Sequence, residues 1–295
     1  MIVSMNGKLL EEDQAVISVF DHGFLYGIGL FETFRTYGGE PFLLEEHLGR
    51  LMVSCEELGI NYTPQPLDLR SKIEQVLTAN ALTDGYIRLS ISAGSEPLGL
   101  PSGEYSRPNE IIYAKPLPER NQRMYALGKP LQLLRLGRNT PESSLRMKSF
   151  HYMNNILGSR ELRQYPWAIG AEGLFLNDAN YVAEGLVSNL FFIHRGLLCT
   201  PSVETGILPG ITRAFILDLA DKLDIPYEEG FYRTDWLCNA EDIFLTNSIQ
   251  EIIPVSCIYD AQGTEVWTRG VAEMHDPITL RLLESYRSAI QGGPL

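Results

Sequence analysis

An α+β chain of two domains is what this 295-residue sequence predicts. Three observations lead there. Short strand-like runs joined by tight turns mix with amphipathic helical stretches in no regular βαβ order. A proline-rich, polar stretch from Leu117 to Pro130 interrupts them. The length itself gives a prior of about two domains. The expected organisation is a small N-terminal α/β domain over 1–117, a linker over 118–130 and a larger, β-rich domain over 131–295.

Along the chain, IVSM and LLEE flank Asn6-Gly7, a dipeptide that tolerates the positive φ of a two-residue hairpin turn. LFETFRTY and PFLLEE flank Gly38-Gly39 in the same way. LEEHLGRLMVSCEELGI spaces Leu44, Leu48, Leu51, Met52, Cys55 and Leu58 along one helical face and ends at Gly59. LRSKIEQVLTANAL is a second helix of that kind, and YIRLSISAG and EIIYAKPLP alternate like strands. Beyond the linker come a strand (LQLLRL), a loop (GRNTPESSLRMK), a helix, and a hairpin in which GLFL and NYVAEGLVSNLFFIHRG flank Asn177-Asp178. GILPGITRAFILDLADKL reads as a loop feeding a helix that starts at Ile211 or Thr212. DIFLTNSIQEIIPV reads as a strand feeding a short turn or helix.

An apolar fraction of 44% with 21% charged residues is ordinary for a soluble globular protein. A net charge of −13 argues against nucleic acid and anionic membranes as general partners. An anionic small molecule would need a local site of arginines and helix N-termini. The cysteines, Cys55, Cys199, Cys238 and Cys257, are far apart without a CxxC pair, so they read as reduced structural thiols. The histidines lack HExxH spacing, so no metal site is expected. No apolar run reaches membrane-spanning length, and MIVSMNGKLL lacks the order of a signal peptide, so the expected location is the cytoplasm. GxxxxGK[ST], GxGxxG and GxSxG are all missing.

The chain has six lysines. Lys8, Lys72, Lys115, Lys129 and Lys222 sit where a solvated ammonium is expected. Lys148 instead heads LRMKSFHYMNNILGSREL, whose Phe150, Met153, Ile156, Leu157 and Leu162 predict a mostly buried helix. Tyr152, four residues on, would share its helical face, as a core tyrosine or as part of a site. Glu184 lies in a strand with few other charges, either facing solvent or buried against a cation. Arg50 is either solvated at the edge of its helix stripe or turned inward to an anion. GILPGITR is an ordinary helix entry or an anion site made by free N–H groups. TNSIQE has Ser248 and Glu251 at capping-box spacing, as a plain N-cap or as phosphate-binding side chains. Together these features fit pyridoxal phosphate, which needs a phosphate cradle, a lysine and an acid at the pyridine nitrogen.

From NGK and DHGFLYGIGLFETFR through HLGRL, RMKSFHYMNN, YVAEGLVSNLFF and GILPGITR to LTNSIQEIIP, the sequence resembles the fold-type-IV pyridoxal-phosphate enzymes. These are the branched-chain and D-amino-acid aminotransferases and the aminodeoxychorismate lyases. The resemblance implies that Lys148 is the Schiff-base lysine and Glu184 the partner of the pyridine nitrogen. It implies that Arg50, the N–H groups of Ile211 and Thr212, and Asn247 with Ser248 hold the phosphate, with Tyr152 near the phenolic oxygen. FDHGFLYGIGLFETFR and RNTPESSLRMKSFHYMNN are most similar to the lyase branch. YIRLSISAG lacks the Arg-x-His pair of the D-amino-acid enzymes, and Ile28 stands where many members carry Asp.

The implied reaction takes 4-amino-4-deoxychorismate to 4-aminobenzoate, a folate precursor, and pyruvate. Arg88, Arg107, Arg138 and Arg146 are the candidates for its carboxylates. The alternative on the same scaffold is an aminotransferase for D-amino acids or branched-chain L-amino acids. The resemblance also implies a homodimer.

Overall fold

The computed structural model describes residues 1–119, 121–270 and 276–292. The chain divides into two compact units, the first formed by Met1–Glu119 together with Met147–His151. Its elements are β1 (Ile2–Met5), β2 (Lys8–Glu11), α1 (His22–Tyr26), β3 (Gly29–Tyr37), β4 (Glu40–Pro41), α2 (Leu44–Glu57), α3 (Pro66–Ala79), β5 (Tyr86–Ser92) and β6 (Asn109–Lys115). The strands form one sheet in the order β2-β1-β6-β5-β3-β4, antiparallel at every pairing. Asn6 and Gly7 both take positive φ, 51° and 77°, which closes the β1–β2 hairpin as expected. The run after Gly39 does not stay extended. β4 stops at Pro41 because Leu44 already opens α2.

Helices α2 and α3 cover one face of this sheet. Leu44, Leu48, Leu51 and Cys55 of α2 and Leu69, Ile73, Val76 and Leu77 of α3 pack on Leu30, Phe34, Ile87, Leu89 and Ile91. Met52 of the expected stripe stays 37% exposed, and Leu58 is only partly buried. The segment around Lys148 departs from expectation. It is not the head of a helix but an extended stretch laid along the start of β3. Ser149 bridges Leu30, the Phe31 N–H donates to the Lys148 carbonyl at 2.9 Å, and the Phe150 N–H to that of Gly29 at 2.9 Å.

The remaining residues form the second unit. In order they make α4 (Gln122–Leu127), β7 (Lys129–Leu133), α5 (Met153–Leu162), β8 (Glu172–Leu176), β9 (Val182–Gly185), β10 (Asn189–His194), β11 (Leu197–Pro201), α6 (Ile211–Lys222), β12 (Tyr227–Gly230), α7 (Thr234–Cys238), β13 (Asp242–Asn247), β14 (Glu251–Tyr259), β15 (Glu265–Thr268) and α8 (Pro277–Ile290). The nine-stranded sheet runs β12-β11-β10-β13-β14-β7-β8-β9, with β15 on β14. It is mixed: β11–β12, β14–β7 and β7–β8 pair in parallel. Leu131, Leu174, Leu190, Phe192, Ile243, Leu245 and Val255 are at the centre of its core.

Four expectations are corrected here. The stretch 118–130 is not a plain linker, for it contains α4, capped by the Asn121 side chain at 3.2 Å from the Met124 N–H. NYVAEGLVSNLFFIHRG is two strands rather than one, because the Gly185 N–H donates to the Ser188 carbonyl at 2.8 Å and turns the chain between β9 and β10. Of the turn or helix expected after DIFL the structure has the turn, and the N-cap reading of TNSIQE fails. The Asn247 Oδ1 accepts from the N–H groups of Ile249 and Gln250 at 3.0 and 2.8 Å, and the turn returns the chain as β14, so there is no capping box. Finally α5 is not a buried helix. Met153, Ile156 and Leu157 are 73%, 55% and 43% exposed, and only Gly158 is buried. Gly158 is what brings α5 close to the sheet: a Cβ there would lie 2.7 Å from the Phe175 ring.

Candidate active site

In the first unit, strand alternation sorts two groups onto opposite faces of β3. Leu30 and Phe34 point into the helix-covered core, and Glu32 lies between them, 1% exposed. Its Oε1 accepts from Arg50 Nε at 2.8 Å, and its Oε2 from Arg50 Nη2 at 2.5 Å and from His47 Nδ1 at 2.7 Å. Burial would raise the Glu32 carboxyl, but the charge of Arg50 and the His47 bond outweigh it and hold it at about 2. Burial dominates at His47 itself and lowers its pKa despite Glu32. Of its two readings Arg50 takes the inward one, with one edge of its guanidinium docked on the Glu32 carboxylate.

On the other face, Phe31 pairs with Ser90 and Thr33 with Arg88. The Arg88 guanidinium lies 3.7 Å from the centroid of the Phe31 ring, and the Lys148 Nζ lies 4.6 Å from the same centroid. Arg88 Nε donates to Ser90 Oγ at 3.1 Å. Lys148 is half-buried, as the sequence requires, but the sheet edge rather than a helix puts it there. The other lysines are less solvated than expected at two positions. Lys72 pairs with Asp68 and Glu110, and Lys129 with the buried Glu172 at 2.8 Å.

In the second unit, Glu184 on β9 is 5% exposed, so of its two readings the buried one holds. Its cationic partner is Arg138, whose Nε and Nη2 both lie 2.8 Å from Glu184 Oε1. The Leu208 N–H donates to Oε2 at 3.0 Å. Arg138 is braced in turn by Asn154 on α5, at 2.8 Å. Arg146 Nε stands 3.8 Å from the same carboxylate while donating to the Gly206 carbonyl at 2.6 Å, and its Nη2 donates to the Asn139 carbonyl. Burial and then the charge of Arg138 lower the Arg146 guanidinium to about 10. Tyr152 is the N-cap residue of α5. Because that helix begins after it, the supposed shared helical face with Lys148 does not exist.

The start of α6 has the features of an anion cradle. Gly210 is its N-cap, and no side chain caps it, so the N–H groups of Ile211 and Thr212 are left to other partners. Thr212 Oγ1 and Ser248 Oγ lie 3.2 Å apart. Thr246, near the end of β13, has a buried hydroxyl without a hydrogen-bond partner among the described residues. A phosphate fits this donor set. The Asn247 side chain is committed to its own turn and to Ser188 Oγ at 3.0 Å, so it holds Ser248 in place rather than reaching outward. Glu32, His47 and Ser188 went unnoticed in the sequence, whereas Thr246 belongs to the TNSIQE run already singled out. For Glu32 the signal was present, a lone acid in an apolar strand, the same one that singled out Glu184.

The family model for class IV amino-transferases matches residues 29–258. The chain belongs to the amino-transferase class IV family. An aminodeoxychorismate lyase of Bacillus subtilis (strain 168) is 40% identical to it over 270 residues, 90% of each chain. Among solved structures, 4-amino-4-deoxychorismate lyase from Pseudomonas aeruginosa superimposes with a TM-score of 0.81 at 28% identity, covering 97% of this chain and 98% of that one. A branched-chain amino acid aminotransferase from Escherichia coli gives 0.83 at 27% identity, covering 100% and 95%. As a class IV chain, this protein has an α+β fold of the fold-type-IV kind. The described cysteines are free. Burial pushes the Cys55 and Cys199 thiols up to about 12 and 11, in keeping with structural thiols.

Proposed function

We propose that this class IV chain is a pyridoxal-phosphate-dependent lyase that converts 4-amino-4-deoxychorismate to 4-aminobenzoate and pyruvate. One observation supports it above the rest: the Lys148 amine nitrogen and the Arg88 guanidinium lie against one Phe31 ring. A base for a proton and an anchor for a carboxylate are thus within reach of one small molecule. The 40% identical Bacillus subtilis relative is named for this reaction.

In this reading Lys148 would hold the cofactor at its aldehyde end until the substrate's amine takes that place, and Glu184 would face its pyridine nitrogen. Arg50, the N–H groups of Ile211 and Thr212, and Ser248 take the phosphate, with Asn247 holding the turn behind Ser248 and Tyr152 near the phenolic oxygen. Bound pyridoxal phosphate supplies a sink for the electrons released when a bond at the amine-bearing carbon breaks. Lys148 Nζ, released as a neutral amine, would receive the proton from that carbon. The neighbouring ether C–O bond then breaks, the ring becomes aromatic, and the departing enolpyruvyl group takes up a proton as pyruvate.

Of the four arginine candidates, Arg88 is the one suited to a substrate carboxylate. Arg138 and Arg146 are committed to Glu184 and to backbone carbonyls, and Arg107 is exposed. The chain acts as a cytoplasmic homodimer in this reading. The exposed apolar residues of α5 support a self-interface, and Ile156→Glu should shift the purified protein to monomer in light scattering; an unchanged mass removes α5 from the interface.

The test of function is product analysis with 4-amino-4-deoxychorismate, in which 4-aminobenzoate and pyruvate should appear in equal amounts. The second reading, an aminotransferase, is favoured by the likeness to the Escherichia coli enzyme. Conversion to the pyridoxamine form by D-alanine, L-leucine or L-glutamate, with no 4-aminobenzoate formed, would replace the first reading with the second.

A further inference from the structure

Glu32 has no part in the reading above, yet it is among the most completely enclosed charges of the first unit, 1% exposed. Burying an ion pair costs several kcal/mol per charge, and an apolar pair of similar volume often serves stability as well. A strand position between Leu30 and Phe34 would readily take such a residue. The arrangement instead satisfies both carboxylate oxygens, one from Arg50 Nε and the other from Arg50 Nη2 and His47 Nδ1. His47 is itself 1% exposed, and its ring packs 5.1 Å from that of Phe34, which limits its movement. A guanidinium is rigid and planar, so docking its Nε–Nη2 edge in this bidentate way sets the plane and heading of the Nη1 side. The Arg50 side chain is 12% exposed.

We propose that Glu32, braced by His47, is a positioning residue that sets the direction in which Arg50 presents its guanidinium to the cofactor's phosphate. This rests on the assignment of Arg50 to that phosphate. The proposal makes a prediction with an unusual sign. Glu32 offsets the charge of Arg50, so removing it leaves a more positive site. If charge alone governed the contact, Glu32→Gln would tighten phosphate binding. If direction governs it, the same substitution weakens binding.

The readout is the ratio of the dissociation constant of pyridoxal to that of pyridoxal phosphate, measured by absorbance titration of each apoprotein. The ratio isolates the phosphate end, because a general loss of structure weakens both ligands alike. Arg50→Ala should lower it about ten- to a hundredfold, as for loss of a charge-assisted contact. Glu32→Gln should lower it about three- to tenfold, since the contact is misdirected rather than removed. Glu32→Asp keeps the charge and shortens the reach, should lower it in the same direction, and decides the matter if the Gln variant does not fold. A ratio that is unchanged or higher in both Glu32 variants, while Arg50→Ala lowers it, overturns the positioning role alone. An unchanged ratio in Arg50→Ala overturns the phosphate assignment and the proposal with it.

Discussion

At the scale of single residues, two buried carboxylates each answer to an arginine, with different consequences. Glu184 accepts from Arg138 on one oxygen and from the Leu208 N–H on the other. Glu184→Gln keeps the shape and removes the charge. We expect turnover with 4-amino-4-deoxychorismate to fall by at least tenfold more than cofactor affinity does; a parallel fall in both would make Glu184 structural. Glu32 carries a pH signature. Its carboxyl is held at about 2, against 4.5 in an unfolded chain, and His47 is lowered from 6.5. Both groups therefore bind protons more readily unfolded than folded, so stability rises with pH in this range. The contribution of His47 is complete above 6.5 and falls away below it, and that of Glu32 is complete above 4.5 and is lost as pH falls towards 2. Urea midpoints of Glu32→Gln should accordingly vary less with pH below 4.5 than those of the parent chain. Parallel curves for the two proteins would deny Glu32 this role.

At the scale of elements, the α6 start depends on a close approach that side chains beyond glycine do not allow. A Cβ on Gly210 would lie 1.9 Å from Asn189 Oδ1, and Asn189 Nδ2 donates to the Leu208 carbonyl at 3.0 Å. The same Leu208 donates its N–H to Glu184. Gly210→Ala must displace Asn189, and with it the loop that links the cradle to the buried carboxylate. We expect a stability loss of about 1–3 kcal/mol, as for overpacking, together with weaker pyridoxal phosphate binding. Thermal melts and ligand titration check both, and a variant with unchanged affinity would separate the α6 start from the cofactor.

At the scale of the whole molecule, a net charge of −13 acts on everything at once. Like charges repel across the surface, and salt shortens the range of that repulsion from about 30 Å at 0.01 M to about 8 Å at 0.15 M. The melting temperature should rise by a few degrees over that interval at neutral pH. A fall would mean that attractive surface pairs such as Arg70 with Glu40 and Glu45 outweigh the net charge.

What the sequence determined by itself is whatever depends on neighbours along the chain. The Asn6-Gly7 hairpin, the apolar stripes of α2 and α3, the alternation of β5 and β6, and the loop-to-helix entry at Gly210–Ile211 are all local, and all are legible as period or turn chemistry. Family membership is legible too, since the motif order survives without knowledge of contacts. Tertiary structure decided the rest. The apolar residues after Lys148 read as a buried helix because hydrophobicity says that a residue prefers burial but not against what. In the fold, Gly158 and Leu162 meet the sheet, and Met153, Ile156 and Leu157 are left outside. Lys148 gained its half-buried place by pairing with β3, a partner more than a hundred residues away in sequence. Arg138 and Arg146 looked like carboxylate ligands for a substrate, and so they are, except that the carboxylate is Glu184. Which acid an arginine meets is set by the register of strands and loops brought together from far along the chain, and a charge written in sequence has no direction until that packing supplies one.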